Sequence, residues 1–276
     1  MPPQPKETSL GPKFKPETVN IIQSFIKQKM DESKASGVII GLSGGLDSAV
    51  VTKLCADTLG PEKVLTLILP DQSTPEIDMK DAIGLANALG VEYRVIDISD
   101  MIEGFSKLLS PLDLNHKAIG NIKARYRMIL LYTHANLENK LVMGASNKSE
   151  LLCGYFTKFG DGGADFSPIG DLYKTQVLEL AKAIEIPENI VNKIPSAGLW
   201  KDQTDEDELQ IKYKDLDRIL LGIELKLDTK DIAEKTGIDK NEVSRILDMV
   251  EKNVHKRKMP LIPKIGVRTL GLDWRE

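Results

Sequence analysis

The sequence predicts an α/β protein built on an open, doubly wound parallel sheet, and three observations carry that expectation. Short apolar runs of strand length alternate with helical patterns between residues 16 and 143. The first run, Val38-Ile39-Ile40, is apolar without alternation, as in a strand buried on both faces. It leads directly into a glycine-rich turn, Ser43-Gly44-Gly45-Leu46-Asp47-Ser48, from which a helix starts.

Each element follows in order. Residues 1–15 carry Pro2, Pro3, Pro5 and Pro12 and read as a mobile arm; the rest, 16–276, reads as one domain. A helical pattern from Pro16 to Ser33 shows Val19, Ile22, Phe25 and Ile26. After the first strand, Asp47 to Leu59 reads as a helix stopped by Gly60-Pro61. Val64 to Leu69 is a second strand, Pro75 to Leu89 a helix and Tyr93 to Ile98 a third strand. Asn115 to Asn136 is a long helix with a stripe of Ile119, Ile122, Tyr126, Ile129 and Thr133, and Leu141 to Met143 is a fourth strand. Residues 154–170 hold five glycines and little periodicity, which predicts a long functional or mobile loop. Residues 195–207 form a second irregular stretch. Beyond it, helices over Ile211–Leu221, Thr229–Lys235 and Asn241–His255 make a C-terminal helical cap at about residues 205–260. The last of these carries the stripe Val243, Ile246, Leu247, Val250 and Val254.

Composition narrows the function. A net charge of −4 provides no positive field for nucleic acid. No apolar run reaches the ~18 residues that cross a bilayer, and the N-terminus has no apolar leader core, so neither a membrane nor secretion is expected. The only cysteines, Cys55 and Cys153, form no metal-ligand spacing and read as packing residues in a reducing compartment, the cytoplasm.

The turn at 43–48 carries the chemistry. Paired glycines let backbone N–H groups converge on one concavity, and a helix N-terminus adds positive partial charge there. The hydroxyls of Ser43 and Ser48 add donors, and Asp47 could hold Mg²⁺ against phosphate oxygens. Neither a Walker A lysine nor a G-x-G-x-x-G pattern is present. The structural alternative is a tight turn with Ser43 near a helix cap.

This S-G-G-x-D-S turn resembles the pyrophosphate loop of the ATP pyrophosphatases, which transfer AMP to an oxygen nucleophile. Three further blocks, Asn121 to Met128, Gly154 to Asp165 and Gln203-Thr204-Asp205-Glu206, resemble the NAD synthetases in the same order. The resemblance spans about residues 16 to 260. It implies the adenine nucleotide α-hydrolase-like fold and ATP-dependent amidation of deamido-NAD by ammonia, with AMP and pyrophosphate released. It implies that Gly41, Leu42, Ser43, Gly44, Gly45, Leu46, Asp47 and Ser48, with Lys174 and Ser196, hold ATP. Asp47 and Glu150 would hold Mg²⁺, and these two with Lys174 would be catalytic. Arg125, Lys158, Asp165, His255 and Lys256 would hold deamido-NAD near the interface of a homodimer. One position departs: the family usually has Thr where Ala145 stands, which makes Ser146 the residue to watch. A glutamine amidase domain would need about 100–250 further residues, for which the sequence shows no room.

Taken singly, each residue has a plainer reading. Arg125 sits at the edge of the long helix's stripe, where arginines snorkel, and Arg127 falls well off the stripe and is expected to face solvent. Glu150, Lys158 and Asp165 would be surface charges, and His255 to Lys258 a basic helix end favoured by the macrodipole. Other pyrophosphate-loop ligases, amide-forming or thiolating, and a non-catalytic nucleotide-binding module are the alternatives. The blocks occurring together in order favour the amidating enzyme.

Overall fold

The computed structural model describes residues 10–110, 112, 114–200 and 203–269. Among these residues four parallel strands form one sheet: β1 (Gly37–Gly41), β2 (Val64–Ile68), β3 (Glu92–Val95) and β4 (Lys140–Met143), in the order β3-β2-β1-β4. Val38 lies opposite Val64 on one side and Leu141 on the other, so β1 is central. Its side chains alternate between faces. Val38 and Ile40 enter a layer with Ile22 and Ile26 of α1 (Thr18–Ser33), Val50 and Leu54 of α2 (Leu46–Leu59) and Leu85 of α3 (Glu76–Leu89). Ile39 points the other way, to Leu65, Leu67 and Val142, covered by Leu130 and Leu131 of α5 (His116–Glu138). Burial on both faces explains why β1 is uniformly apolar.

From β1 the chain moves to β2 and β3 on one side, then returns to β4 on the other. Such a reversal opens a crevice at the carboxyl ends of β1 and β4, where open α/β sheets take their ligands. Three short helices line up after β4: α6 (Lys148–Cys153), α7 (Lys174–Ala183) and α8 (Glu188–Val191). After α9 (Asp205–Leu209), helices α10 (Tyr213–Glu224), α11 (Thr229–Thr236) and α12 (Lys240–Lys252) enclose a second core of Leu216, Ile219, Ile232, Val243 and Ile246. Cys153 and Tyr173 belong to that core too, so the cap packs directly on the elements that follow β4.

Several expectations need correction. The third strand is shorter than Tyr93–Ile98; beyond Val95 only Ile96 and Ile98 continue the ladder, donating to Ile68 O (3.0 Å) and Pro70 O (2.9 Å). A helix that the pattern did not show, α4 (Ser99–Leu108), follows it. The last helix stops at Lys252 rather than His255, giving way to a 3-10 turn over Val254–Arg257.

The face of α5 is reversed. The expected stripe is half-buried at best, with Ile129 49% exposed, while Gly120, Lys123, Ala124 and Ala135 are buried. Apolar periodicity pointed to the wrong side because the inward face carries Lys123 and Arg127 to a polar cavity. Arg127 therefore does not face solvent: it donates to Leu69 O (3.1 Å) and to Asp71 (2.8 Å).

Residues 154–170 are not a loose loop. Asp165 N–H donates to Val142 O (2.9 Å) and Gly144 N–H to Phe166 O (2.8 Å), which seals the segment along β4; turns at Gly160 and Gly163 close it on itself. The expected arm is likewise tied where it is described. Leu10 O accepts from Arg218 (3.0 Å) and Lys13 O from Gln176 (3.0 Å), while Phe14 packs on the core. Residues 1–9 lie outside the described residues.

Candidate active site

The glycine-rich turn joins β1 to α2 at the carboxyl edge of the sheet. Gly44 adopts φ +79°, and a Cβ there would sit 2.1 Å from Asp78 O, so both the conformation and the close approach of α3 require glycine. The two serine hydroxyls hold the turn together rather than standing free for a ligand. Ser48 Oγ accepts from Ser43 N (3.2 Å) and lies 3.1 Å from Ser43 Oγ, which accepts from Gly45 N (3.2 Å). Lys193 donates to Gly44 O (2.8 Å) and pairs with Asp78 (2.8 Å) and Asp81 (2.5 Å), fixing the turn from α3's side. The first turn of α2, from Leu46, then lines the cavity with its positive partial charge directed there.

Lys174, the first residue of α7, meets Asp47 in an ion pair, and its ammonium lies 3.8 Å from Glu150. Asn147 organises both carboxylates. Its side chain donates to Asp47 (3.3 Å), while its carbonyl oxygen caps α6 by accepting from Glu150 N (3.0 Å). Glu150 completes the capping box by taking Asn147 N–H on Oε2 (3.1 Å), which leaves Oε1 turned toward Lys174. Tyr213 places its ring 5.5 Å from the ammonium and donates to Asp205 (3.0 Å). Asp205 is buried, and its Oδ1 has no hydrogen-bond partner among the described residues; the nearby Tyr155 hydroxyl gives its proton to Glu208 (2.6 Å).

Charge here is unbalanced. Burial, then the neighbouring Asp47 carboxylate, pushes Glu150 well above the usual carboxylate range. Burial likewise raises Asp205, against the pull of Lys174. For Lys174 burial disfavours the charge, but Asp47 and Glu150 outweigh it and its affinity for the proton rises.

These groups line a cavity of about 1890 Å³, together with Gly41, Leu42, Ser196 and Lys256. Another wall holds Asp71, bonded to Lys123 (3.0 Å) and Arg127 (2.8 Å); Lys123 also donates to Ser73 (2.8 Å) and to Leu199 O (2.8 Å). Ala145 lines the cavity but Ser146, buried beside it, does not, so the missing threonine hydroxyl is not replaced there. Four expected substrate residues stand outside the cavity lining. Arg125 donates to Lys158 O (3.3 Å), and Lys158 to His255 O (2.8 Å). Asp165 accepts from Val142 N (2.8 Å) and Tyr132 (3.2 Å), and in that position it serves the edge of β4. Lys256 donates to Gly154 O (2.6 Å) and Phe156 O (3.0 Å).

Sequence reasoning missed Asn147, Tyr213, Lys193 and Asp71, and it gave no role to Asp205, Lys123 or Arg127 although all three lie in the blocks that carry the resemblance. Asn147 carried a signal, since Asn followed three residues later by Glu is a capping-box pattern. The others are polar residues whose burial no local pattern reports.

The family model described as NAD synthase matches residues 18–260. The chain is 47% identical over 243 residues to the NH(3)-dependent NAD(+) synthetase of Thermococcus sibiricus, covering 88% of this chain and 94% of that one. Among solved structures it is similar to NMN synthetase from Francisella tularensis (TM-score 0.81, 36% identity, 92% of this chain and 100% of that one). It is also similar to NH3-dependent NAD synthetase from Campylobacter jejuni, solved with a nitrate ion (TM-score 0.77, 34% identity, 90% and 98%). A model match that spans the sheet, the glycine-rich turn and the Lys174 cluster places the chain in the NAD synthase family.

Proposed function

We propose that the protein amidates the nicotinate carboxylate of deamido-NAD with ammonia, driven by ATP, releasing AMP and pyrophosphate. One observation carries the reading: the glycine-rich turn and Lys174 meet Asp47 and Glu150 at the sheet's switch point. A carboxylate is a poor acyl donor because its oxygen leaves badly. Attack of that oxygen on the α-phosphate makes it part of AMP, and pyrophosphate departs; ammonia then adds to the acyl carbon and AMP departs. The chain's residues position and neutralise. The turn and the first turn of α2 receive phosphate oxygens, Lys174 offsets their charge, and Ser196 lies where the nucleotide would reach.

Magnesium fits these residues. Mg²⁺ uses one or two carboxylates and takes its other ligands from phosphates and water. Asp47 and Glu150 converge on one ammonium, two partly buried carboxylates that share a single cation among the described residues. Among the described residues no three acidic, His or Cys side chains gather as a metal cage, which suits a metal delivered with ATP. Bound there, Mg²⁺ would supply charge neutralisation on the phosphates.

Arg125, Lys158 and His255 form a connected surface outside the cavity, near the exposed Ile129. A homodimer in which a second copy closes this surface over the dinucleotide would give them their role, and sedimentation should then show twice the 30.6 kDa chain. The buried free thiols Cys55 and Cys153 suit the cytoplasm.

The likeness to the Francisella NMN synthetase supports a second reading, in which the substrate is the deamido mononucleotide. The test supplies ATP, Mg²⁺ and an ammonium salt with either deamido-NAD or its mononucleotide. Faster turnover of deamido-NAD to NAD, with rate rising as ammonium loses its proton, is the expected result. Preference for the mononucleotide selects the second reading, and turnover of neither overturns both.

A further inference from the structure

The helical cap does more than cover the cavity. Asp217, on α10, has no exposed surface, and a carboxylate in that position is costly unless every oxygen is engaged. Its Oδ1 accepts from Ser149 Oγ (2.5 Å), and its Oδ2 accepts both Thr175 N–H (2.8 Å) and Thr175 Oγ1 (2.7 Å). Ser149 Oγ in turn accepts Lys174 N–H (3.0 Å). Ser149 directly precedes Glu150, and Thr175 directly follows Lys174. The two N–H groups belong to the first turn of α7, where backbone donors have no acceptor within the helix and an anion is favoured.

We propose that Asp217 is a positioning residue: its carboxylate fastens α6 to α7 so that Glu150 and Lys174 face Asp47 in register. The inference rests on the functional reading above for its kinetic consequence, but not for the anchoring itself. Glu150 and Lys174 come from separate helices, 24 residues apart in the chain (174 minus 150). Their side chains are 3.8 Å apart because the two helix starts are held together. Lys174 N–H to Ser149 Oγ (3.0 Å) and Lys148 N–H to Leu172 O (2.8 Å) join them directly, and Asp217 binds Ser149 and Thr175 at once from the cap. A displacement of about 1 Å in such a site can cost on the order of 100-fold in rate.

The test compares Asp217→Asn with Ile246→Ala, a change in the cap's apolar core away from the cavity lining. Asparagine keeps the size and can still accept from Thr175, but it turns an N–H toward Ser149. Both variants should melt earlier than the parent. At a temperature where both are folded, Asp217→Asn should lose about 10- to 100-fold in kcat, with less than about threefold change in KM for ATP. Ile246→Ala should keep kcat within about twofold. Hydrogen exchange at the peptide spanning Lys174 and Thr175 should quicken in Asp217→Asn and not in Ile246→Ala. If Asp217→Asn fails to fold, Ser149→Ala removes the link to Glu150's neighbour and carries the same expectations. Equal kcat in Asp217→Asn and Ile246→Ala, with equal exchange at residues 174–175, would overturn the proposal. If the parent protein makes no amide, the functional reading fails by itself, and exchange at residues 174–175 alone then decides whether Asp217 holds them.

Discussion

Two ionic clusters line the same cavity with opposite balance. Asp71 is a carboxylate paired with two cations, Lys123 and Arg127. Burial pushes it up, but the Ser73 hydroxyl and N–H, with Lys123 and Arg127, outweigh that and hold it below the usual 3.8. Lys174 is one cation facing Asp47, Glu150 and Asp205 among the described residues, and there Glu150 and Asp205 are raised. The satisfied cluster does structural work: it ties the end of β2, α5 and the segment at Leu199 together. The unsatisfied one holds more carboxylate than cationic charge among the described residues, an imbalance that the proposed metal would offset.

The largest effect should come from the unsatisfied side. Asp47→Asn keeps the shape of the Lys174 cluster and removes a charge; amidation should fall at least about 100-fold while the circular dichroism spectrum stays unchanged. A near-normal rate at saturating Mg²⁺ would remove Asp47 from the proposed role.

On the satisfied side the effect should appear in stability. Lys123→Met leaves Asp71 with Arg127 as its one remaining cation among the described residues, Ser73 still donating, and frees Leu199 O, at a cost of about 2–4 kcal/mol in urea unfolding. Loss of less than about 0.5 kcal/mol would mean that the pair contributes as little as an exposed one.

The two clusters should also respond to pH in opposite directions. Asp71, depressed in the fold, contributes stability that is present above 3.8 and is lost as pH falls through its lowered value. Glu150, raised in the fold, favours the folded state only below its usual 4.5, and that contribution is lost as pH rises toward its raised value. At pH 7, therefore, Asp71→Asn should lower Tm and Glu150→Gln should raise it, and both differences should shrink in acid. Destabilisation of similar size by both changes at pH 7 would contradict the comparison.

The smallest effect concerns residues 154–170. Sealed along β4, this segment should resist limited proteolysis without ligands, with less than about twofold further protection when nucleotide binds. Rapid cleavage in the free protein would restore the loose-loop reading that its glycines suggest.

What the chain discloses in advance follows from which interactions are local. The strands, the glycine-rich turn and most helices were legible because apolar runs and turn residues are properties of neighbours in sequence. Asp47 was legible in the glycine-rich turn itself, Glu150 and Lys174 came from a family resemblance, and the structure gathers the three. Arg127 was misplaced because an arginine on an inward helix face looks polar and therefore exposed until Asp71, 56 residues away, supplies its partner. Asp217 was invisible for the same reason: its three donors lie 42 and 68 residues distant. Residues 154–170 misled because glycine permits mobility but also permits tight turns, and only the contact with β4 decides which.

In the proposed reaction the Lys174 cluster activates a carboxylate by moving AMP onto its oxygen. The most direct test labels both carboxylate oxygens of deamido-NAD with oxygen-18 and follows a single turnover with ATP, Mg²⁺ and ammonia. One labelled oxygen per NAD should appear in the phosphate of AMP, with none in pyrophosphate. Label in inorganic phosphate, with ADP as the nucleotide product, would contradict the account.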